Sequence, residues 1–147
     1  MDCIFCKIIA KKITNSDIIY EDAKVIVILD IDNVVKWHTL VIWKEHYENL
    51  SELSEEEYLY FSKIVYKTEK WLLKICKKNR WIILKSWWIN SHFHFHIYPV
   101  NKEDNRRDIH DLIEKDSKYR EKTFLYEYKP NEKESLIDEL NKYLQNK

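Results

Sequence analysis

Apolar residues follow two different periods along the chain, and each period predicts one kind of element. The run VIVIL at 25–29 is apolar throughout and mostly β-branched, which is typical of a buried strand. The segment HFHFHIY at 92–98 alternates between histidine and apolar side chains, as residues on the two faces of a strand do. Strands are predicted at 18–20, 25–30, 39–42, 82–84 and 92–98.

A long amphipathic helix is predicted between the third and fourth strands. Ser54 and Glu57 have the spacing of a capping box, which marks the start of a helix. Side chains suited to a core then recur at steps of three and four, so one face of the helix is buried. These positions are Tyr58, Phe61, Val65, Thr68, Leu72 and Ile75.

The remaining elements lie at the two ends of the chain. A short helix is predicted at 6–12, and the chain becomes strongly polar at 101–107. A further strand is predicted at 123–128 and a last amphipathic helix at 131–145. Together these elements predict an α+β fold, an antiparallel sheet of about five strands with a long helix packed on it, plus a C-terminal helical extension.

Composition narrows the class of protein. The 147 residues carry 25 basic and 25 acidic side chains, so no net field attracts nucleic acid or an anionic membrane. No apolar run approaches the roughly 20 residues that span a bilayer, and the N-terminus lacks the pattern of a signal peptide. We therefore expect a cytoplasmic protein with neither a membrane nor a nucleic-acid partner. Three cysteines, two of them in Cys3-x-x-Cys6, suit a reducing compartment.

The alternation at 92–98 places His92, His94 and His96 on one face of a strand. Phe93, Phe95 and Ile97 fall on the opposite face, towards the long helix. Clustering groups that can each become cationic is costly and needs a chemical reason. A surface strand that is rich in histidine by chance, a zinc site, a binding site without turnover, and nucleophilic catalysis at phosphorus are all compatible with the pattern.

The triad and several other segments resemble the histidine triad (HIT) family, in particular bacterial members with an N-terminal Cys-x-x-Cys. The pattern His-φ-His-φ-His-φ-φ, with φ apolar, is the signature of that family. The other similar segments are CIFCKII at 3–9, YED at 20–22, LDI at 29–31, KWHTLVI at 36–42 and KEH at 44–46. The resemblance covers residues 1–100 as a HIT domain, and residues 101–147 are expected to be an extension packed on the same domain.

The resemblance implies catalytic roles for four histidines. His94 matches the residue that attacks the α-phosphorus of a nucleotide and carries a covalent nucleotidyl intermediate. His96 matches the residue that contacts the α-phosphate and helps proton transfer to the leaving group. His92 supports the arrangement, and His38 belongs to the same polar cluster. No catalytic metal is required in the family.

The resemblance also implies substrate contacts. Asp30 matches the acidic residue that accepts hydrogen bonds from ribose hydroxyls, although a residue that only ends a strand is the alternative. Phe5 and Ile31 are expected to line the base pocket, or else to be ordinary residues of the hydrophobic core. Ser86 and Asn90 are the nearest candidates for phosphate and ribose contacts in a segment several residues shorter than in relatives.

A structural zinc is a further expectation from the resemblance. Several bacterial relatives hold zinc through the N-terminal cysteine pair, a histidine after the third strand and a triad histidine. The matching residues are Cys3, Cys6, His46 and His92. The alternative is a pair of partly buried thiols beside a surface histidine.

The chain has no glycine and six tryptophans, where average usage predicts about ten glycines. Trp37, Trp81, Trp87 and Trp88 stand where relatives of the family carry glycine. We interpret these positions as glycines encoded by UGA in a lineage with an altered genetic code, read as tryptophan. Real tryptophans at 87 and 88 are expected to crowd the phosphate site.

The expected activity is that of a nucleotide hydrolase or transferase acting on purine nucleoside phosphoramidates or related nucleotidyl conjugates. A dinucleoside polyphosphate hydrolase, and a nucleotide-binding regulatory module with little turnover, are the alternatives. Similar members form homodimers through the long helix and a sheet edge, and a homodimer is therefore expected.

Overall fold

The protein forms one five-stranded antiparallel sheet with helices on both faces. This computed structural model describes residues 3–13, 17–31, 33, 35–85, 90–118 and 126–145. The strands are β1 (Ile18–Glu21), β2 (Val25–Leu29), β3 (Thr39–Trp43), β4 (Arg80–Leu84) and β5 (His94–Val100). Their order across the sheet is β1-β2-β3-β5-β4, and each neighbouring pair is antiparallel. The predicted α+β fold with five strands is confirmed.

The long helix α2 (Glu55–Cys76) begins at the predicted capping box. The Ser54 hydroxyl accepts a hydrogen bond from the Glu57 N–H, and the Glu57 carboxylate accepts one from the Ser54 N–H. The helix ends at Lys77, whose φ of 52° lies in the left-handed region of a helix C-cap. Its buried face carries Phe61, Ile64, Val65, Thr68 and Leu72.

Apolar residues of the sheet form a core on each face. One core lies beneath α2 and contains Phe93 and Ile97, with Phe95 packed against it. The Phe61 ring lies 4.9 Å from Phe93 and 5.2 Å from Phe95 between centroids, so the predicted division of 92–98 into two faces is confirmed. The other core lies beneath α1 (Ile4–Ile9). It contains Cys3, Phe5, Ile8, Ile26, Ile28, Leu40 and Ile42.

The histidine strand is displaced by two residues from its predicted bounds. β5 begins at His94, so His92 precedes it, and the strand continues through Pro99 to Val100. Pro99 pairs with Trp81 on β4, whereas pairing with β3 ends at Ile97. A strand with one partner tolerates the missing N–H of proline, which is why Pro99 does not end β5.

The first helix is also displaced. α1 begins at Ile4 because Cys3 Sγ accepts a hydrogen bond from the Cys6 N–H at the N-cap. It does not reach Lys12, because the backbone turns into the left-handed region at Lys11, with φ 55°. The helix predicted at 6–12 is therefore placed too late in the sequence.

The C-terminal part contains a helix that the hydrophobic pattern did not predict. α3 (Arg106–Lys118) packs Ile109 and Ile113 against Tyr98 and Val100, on the histidine side of the sheet. The strand predicted at 123–128 is wrong for residues 126–128, which are not in a strand, and its first three residues lie outside the described part.

The last helix, α4 (Glu132–Gln145), lies against the other face. Its Leu136, Leu140 and Leu144 are buried in the core beneath α2. The Asn141 amide donates a hydrogen bond of 2.8 Å to the Ile19 carbonyl of β1. Among the described residues, no helix combines the length and the apolar character that crossing a bilayer demands.

Candidate active site and metal site

His38 stands at the end of β3 and faces the triad. The Asp30 N–H donates a 2.9 Å hydrogen bond to the His38 carbonyl, which continues the β2–β3 ladder by one residue. The His38 side chain is fully buried, and its ring stacks on Tyr98 with centroids 4.0 Å apart. These contacts hold the imidazole plane beside β5.

His94 has a defined tautomer. Its Nδ1 lies 2.6 Å from the His92 carbonyl oxygen, and a carbonyl can only accept, so Nδ1–H donates. The neutral ring therefore has its lone pair on Nε2. Burial lowers the pKa of His94 to about 4, which keeps the ring neutral near pH 7. His94 thus presents an unprotonated Nε2, as a nucleophile must.

His96 links His94 to His38. Its Nε2 lies 2.9 Å from His94 Nε2, and its Nδ1 lies 2.9 Å from His38 Nε2. Burial, followed by the neighbouring His38 and His94, holds the pKa of His96 well below its ordinary value. His96 is therefore neutral near pH 7 and has both ring nitrogens in contact with other imidazoles.

Asp30 lies beside His38, on the side of that ring away from His94. Its Oδ2 lies 3.4 Å from His38 Nδ1 and 3.8 Å from His96 Nδ1. The Asp30 carboxylate therefore faces two imidazoles. Asp30, His38 and His96 also hold three metal-ligating atoms within 4.8 Å of one another.

The other predicted substrate residues are placed differently. Phe5 packs its ring against His94, with centroids 4.8 Å apart. Ile31 is 59% exposed and lines an open cavity of about 740 Å³ with Asn33 and residues 126–131, 133 and 134. Asn90 is half-buried, two residues before His92, and Ser86 lies outside the described residues.

The segment before α4 braces the β2–β3 loop. The Trp37 N–H donates to the Tyr128 hydroxyl across 2.8 Å, and that hydroxyl donates to Asn33 Oδ1 across 2.9 Å. The Lys36 ammonium donates to the Glu132 carboxylate. These hydrogen bonds were not predicted from the sequence, because they join residues that lie some 90 positions apart and leave no local pattern. Tyr98 was also missed, although its spacing from His94 and His96 places it on their face.

The four predicted zinc ligands converge. Cys6 Sγ lies 3.2 Å from His46 Nδ1, and both Cys3 Sγ and Cys6 Sγ lie 3.5 Å from His92 Nδ1. All four ligand atoms lie within 4.8 Å of one another. Around a tetrahedral zinc, nitrogen and sulfur ligands stand about 3.6 Å apart, from Zn–S near 2.3 Å and Zn–N near 2.0–2.1 Å. The observed spacings fit a closed tetrahedral site.

The backbone at Trp37 adopts a conformation that favours glycine. Its φ is 69°, in the left-handed region that is a genuine outlier for a bulky residue. Trp81 lies within the regular strand β4 and shows no such feature. Trp87 and Trp88 lie outside the described residues. The interpretation as a misread glycine therefore gains backbone support at position 37.

Comparison with known proteins gives the family. The protein-family model of the HIT domain matches residues 11–103 of the sequence. A HIT-like protein of Methanocaldococcus jannaschii is 40% identical over 106 residues, which cover 69% of this chain and 81% of that protein. The chain therefore belongs to the histidine triad family, as the sequence analysis expected, and that family comprises nucleotide-binding proteins and includes hydrolases.

Two further relatives extend the comparison. A histidine triad nucleotide-binding protein from Sulfolobus tokodaii has a similar crystal structure, with a TM-score of 0.73, 27% identity, and coverage of 98% of this chain and 93% of that chain. An adenosine 5′-monophosphoramidase of Schizosaccharomyces pombe is 35% identical over 108 residues, which cover 71% of this chain and 78% of that protein.

Proposed function

We propose that this protein hydrolyses nucleoside phosphoramidates or related nucleotidyl conjugates at the α-phosphate, through a covalent nucleotide on His94. The observation that carries the proposal is the hydrogen bond from His94 Nδ1–H to the His92 carbonyl. It leaves Nε2 as the atom with the lone pair, beside His96 Nε2 at 2.9 Å. The similarity to an adenosine 5′-monophosphoramidase supports the same substrate class.

The reaction takes two steps. With the anionic phosphate bound, His96 takes up a second ring proton and becomes cationic. His94 Nε2 attacks the α-phosphorus, the bond from phosphorus to the leaving group breaks, and His96 Nε2–H gives its proton to the leaving nitrogen, which leaves His96 neutral. Water then attacks the phosphorus, His96 accepts a proton from that water, and the bond to His94 breaks. Dividing one difficult displacement into two easier ones lowers each barrier. His96 serves as acid and then as base, which its position beside His94 allows.

Other residues would hold the substrate. In this proposal Asp30 accepts hydrogen bonds from the ribose, Phe5 and Ile31 line the base pocket, and Ser86 and Asn90 contact phosphate or ribose. Phe5 is suited to this role because its ring packs against His94. Ile31 is suited because its side chain is open to the cavity beside the β2–β3 loop.

A structural zinc would be held by Cys3, Cys6, His46 and His92. Four protein ligands close the coordination sphere, which is typical of a structural rather than a catalytic site. Bound there, the ion would tie α1 to the start of β5 and so fix the position of His94 relative to Phe5. The chemical steps at phosphorus use the imidazoles alone.

The test is steady-state hydrolysis of adenosine 5′-phosphoramidate by wild type and two histidine variants. His94→Ala is expected to lower kcat by more than about 10³-fold, as the loss of a nucleophile does. His110→Ala is the matched control, because His110 lies on α3 with its side chain 76% exposed. Equal rates for wild type and His94→Ala would contradict the proposal. A parallel assay with diadenosine polyphosphates identifies the preferred leaving group.

A further inference from the structure

Asn33 is a buried polar residue inside the β2–β3 loop. Its side-chain Nδ2–H donates to the Asp30 carbonyl. A carbonyl only accepts, so Oδ1 is the end of the amide that faces Tyr128, whose hydroxyl lies 2.9 Å away. The Tyr126 N–H donates a further hydrogen bond of 2.8 Å to the Asn33 carbonyl. Asn33 therefore joins the C-terminal segment to Asp30 through the two ends of its amide.

The Tyr128 hydroxyl holds this loop at two points. The Trp37 N–H can only donate, so the hydroxyl accepts from it across 2.8 Å, and the single hydroxyl proton goes to Asn33 Oδ1. The contact at position 37 is made by the backbone, so it needs no indole and is open to glycine as well. One phenol hydroxyl thus fixes positions 33 and 37 of the loop relative to each other.

The backbone of Asp30 is held on both sides. Its N–H donates a hydrogen bond of 2.9 Å to the His38 carbonyl, which belongs to the sheet. Its carbonyl accepts from Asn33, whose position the Tyr128 hydroxyl fixes. Because the direction of a side chain follows from the backbone at its Cα, these two hydrogen bonds together determine where the Asp30 carboxylate points.

The proposed nucleophile is held by different contacts. His94 Nδ1–H donates to the His92 carbonyl, and His94 Nε2 lies 2.9 Å from His96 Nε2. All three histidines belong to β5 or to the residues just before it. Loss of the Tyr128 hydroxyl should therefore displace Asp30 and leave His94 in place.

Asn33 and Tyr128 also border the space proposed for the nucleoside. Both residues line the open cavity beside the β2–β3 loop, together with Ile31. Ile31 follows Asp30 directly in the sequence, so the carboxylate and the proposed base pocket are carried by the same part of the loop. A contact that orients this part of the loop acts on the nucleoside end of the substrate.

The segment that carries Tyr128 is itself anchored on the domain. Leu136 and Leu140 of the following helix α4 are buried in the core beneath α2. Lys133, at the start of α4, places its Nζ 2.8 Å from Asp17 Oδ2. Tyr128 therefore contacts the loop from an element whose position is fixed by packing and by an ion pair.

We propose that Tyr128 is a positioning residue for ribose recognition: through Asn33, its hydroxyl places the Asp30 carboxylate where the ribose hydroxyls of the substrate bind. The C-terminal extension then governs affinity for the nucleoside and not the chemical step at phosphorus. The inference rests on the proposed function and deepens it. Tyr128 lies beyond residues 11–103, the part of the chain that matches the HIT domain.

Calorimetric titration with AMP tests this role without turnover. Tyr128→Phe keeps the ring and removes the hydroxyl, and we expect the Kd for AMP to rise about tenfold, the effect of losing one or two hydrogen bonds. For 2′,3′-dideoxy-AMP the change should be less than about twofold, because that ligand lacks the hydroxyls through which Asp30 would act. Tyr58→Phe, at a partly exposed tyrosine of α2, is the control and should match wild type.

Asp30→Asn separates positioning from direct contact with the ligand. If Tyr128 acts through Asp30, adding Tyr128→Phe to Asp30→Asn should change the Kd for AMP by less than about twofold. The same loss in both backgrounds would show that Tyr128 acts independently of Asp30 and overturn the proposal. Asn33→Ala removes the link between the two residues and should reproduce the Kd of Tyr128→Phe, so it decides the question even if Tyr128→Phe does not fold.

Steady-state hydrolysis of adenosine 5′-phosphoramidate should show the same division. Tyr128→Phe is expected to raise KM about tenfold and to keep kcat within about twofold of wild type. A partly unfolded variant would instead lower kcat and the calorimetric stoichiometry.

The outcomes distinguish this inference from the proposed function. A fall in kcat at constant KM, or an unchanged Kd for AMP, would overturn the positioning role and leave the proposed function standing. Wild type that neither binds AMP nor cleaves the phosphoramidate would overturn the proposed function, and the role of Tyr128 with it.

Discussion

The His92 Nε2–H donates a hydrogen bond to the Trp43 carbonyl across 2.5 Å. A carbonyl only accepts, so this contact fixes the tautomer and leaves the lone pair of His92 on Nδ1. That atom faces the sulfur atoms of Cys3 and Cys6 at 3.5 Å. Metal-binding histidines commonly donate their second ring nitrogen to a backbone carbonyl in this way. The orientation of His92 thus suits a metal ligand.

The first prediction concerns metal content. Protein purified without chelator is expected to carry one zinc per chain, and Cys3→Ser is expected to lose it, because three remaining ligands no longer close the site. Elemental mass spectrometry gives the stoichiometry. Cys76→Ser is the matched control, since Cys76 is a half-buried cysteine on α2, away from the four ligands.

Two results would contradict the zinc prediction. If wild type purified in zinc-containing buffer carries no zinc, Cys3 and Cys6 are free thiols that only contribute to the hydrophobic core. Two zinc ions per chain would place a second ion among Asp30, His38 and His96, the other set of close ligand atoms near the triad.

The second prediction concerns stability in acid. The pKa of His96 is lowered in the folded protein by burial, so the unfolded chain binds a proton on this ring that the folded chain does not. The folded protein should therefore lose stability as the pH falls below 6.5, the ordinary pKa of histidine. For this one group the free energy of unfolding should fall by about 1.4 kcal/mol per pH unit.

Urea unfolding between pH 7.5 and pH 5 measures this contribution. His96→Gln should show a shallower decline than wild type, because the titrating ring is gone. His110→Gln should parallel wild type, because that side chain is exposed. Identical slopes for wild type and His96→Gln would show that His96 titrates normally in the folded protein.

The third prediction concerns Trp37 and its left-handed backbone. Trp37→Gly should be more stable than Trp37→Ala by about 1 kcal/mol, because only glycine enters this region without steric cost. At Trp81, in the regular strand β4, the alanine variant should instead be more stable than the glycine variant by about 0.5–1 kcal/mol, because glycine loses more entropy on folding. Thermal unfolding of the four variants checks both orders, and an alanine variant as stable as glycine at 37 would contradict the first.

Peptide masses of the protein isolated from its own organism test the genetic-code interpretation directly. Glycine masses are expected at positions 37, 81, 87 and 88. Indole masses at these four positions would show that the tryptophans are real.

Much of this molecule follows from local patterns in the sequence. The period of two at 92–98 correctly assigned His94 and His96 to one face and Phe93 and Ile97 to the other, because alternation is a property of the strand itself. The capping box at Ser54 likewise needed only two residues three positions apart. The convergence of Cys3 and Cys6 with His46 and His92 came from the family resemblance.

Other parts depend on tertiary contacts and left no local signal. α3 was missed because its sequence is mostly charged, and among its described side chains Ile109 and Ile113 are the two that pack on the sheet. The distance from His38 Nδ1 to Asp30 Oδ2 depends on how two strands end side by side. The family resemblance implies that both residues belong to the site, but not which nitrogen faces which oxygen.

The fourth prediction concerns assembly. β4 is an edge strand of the sheet, and its Trp81 and Ile83 are exposed, as are Leu59 and Tyr66 on α2. We expect a homodimer that covers this edge, because exposed apolar edges favour pairing with another chain. Light scattering after size exclusion should give twice the chain mass. Ile83→Lys should give the monomer and Leu50→Lys, at another exposed apolar residue, the dimer. A monomeric wild type would contradict the expectation.

In the proposed mechanism, His94 carries a covalent nucleotide during each turnover. The most direct measurement is an intact-mass spectrum of the protein quenched in acid within the first turnovers of adenosine 5′-phosphoramidate, beside His94→Ala and His110→Ala. We expect a transient added mass of one AMP on wild type and His110→Ala, and none on His94→Ala. Turnover by wild type without any adduct, or an equal adduct on His94→Ala, would contradict it.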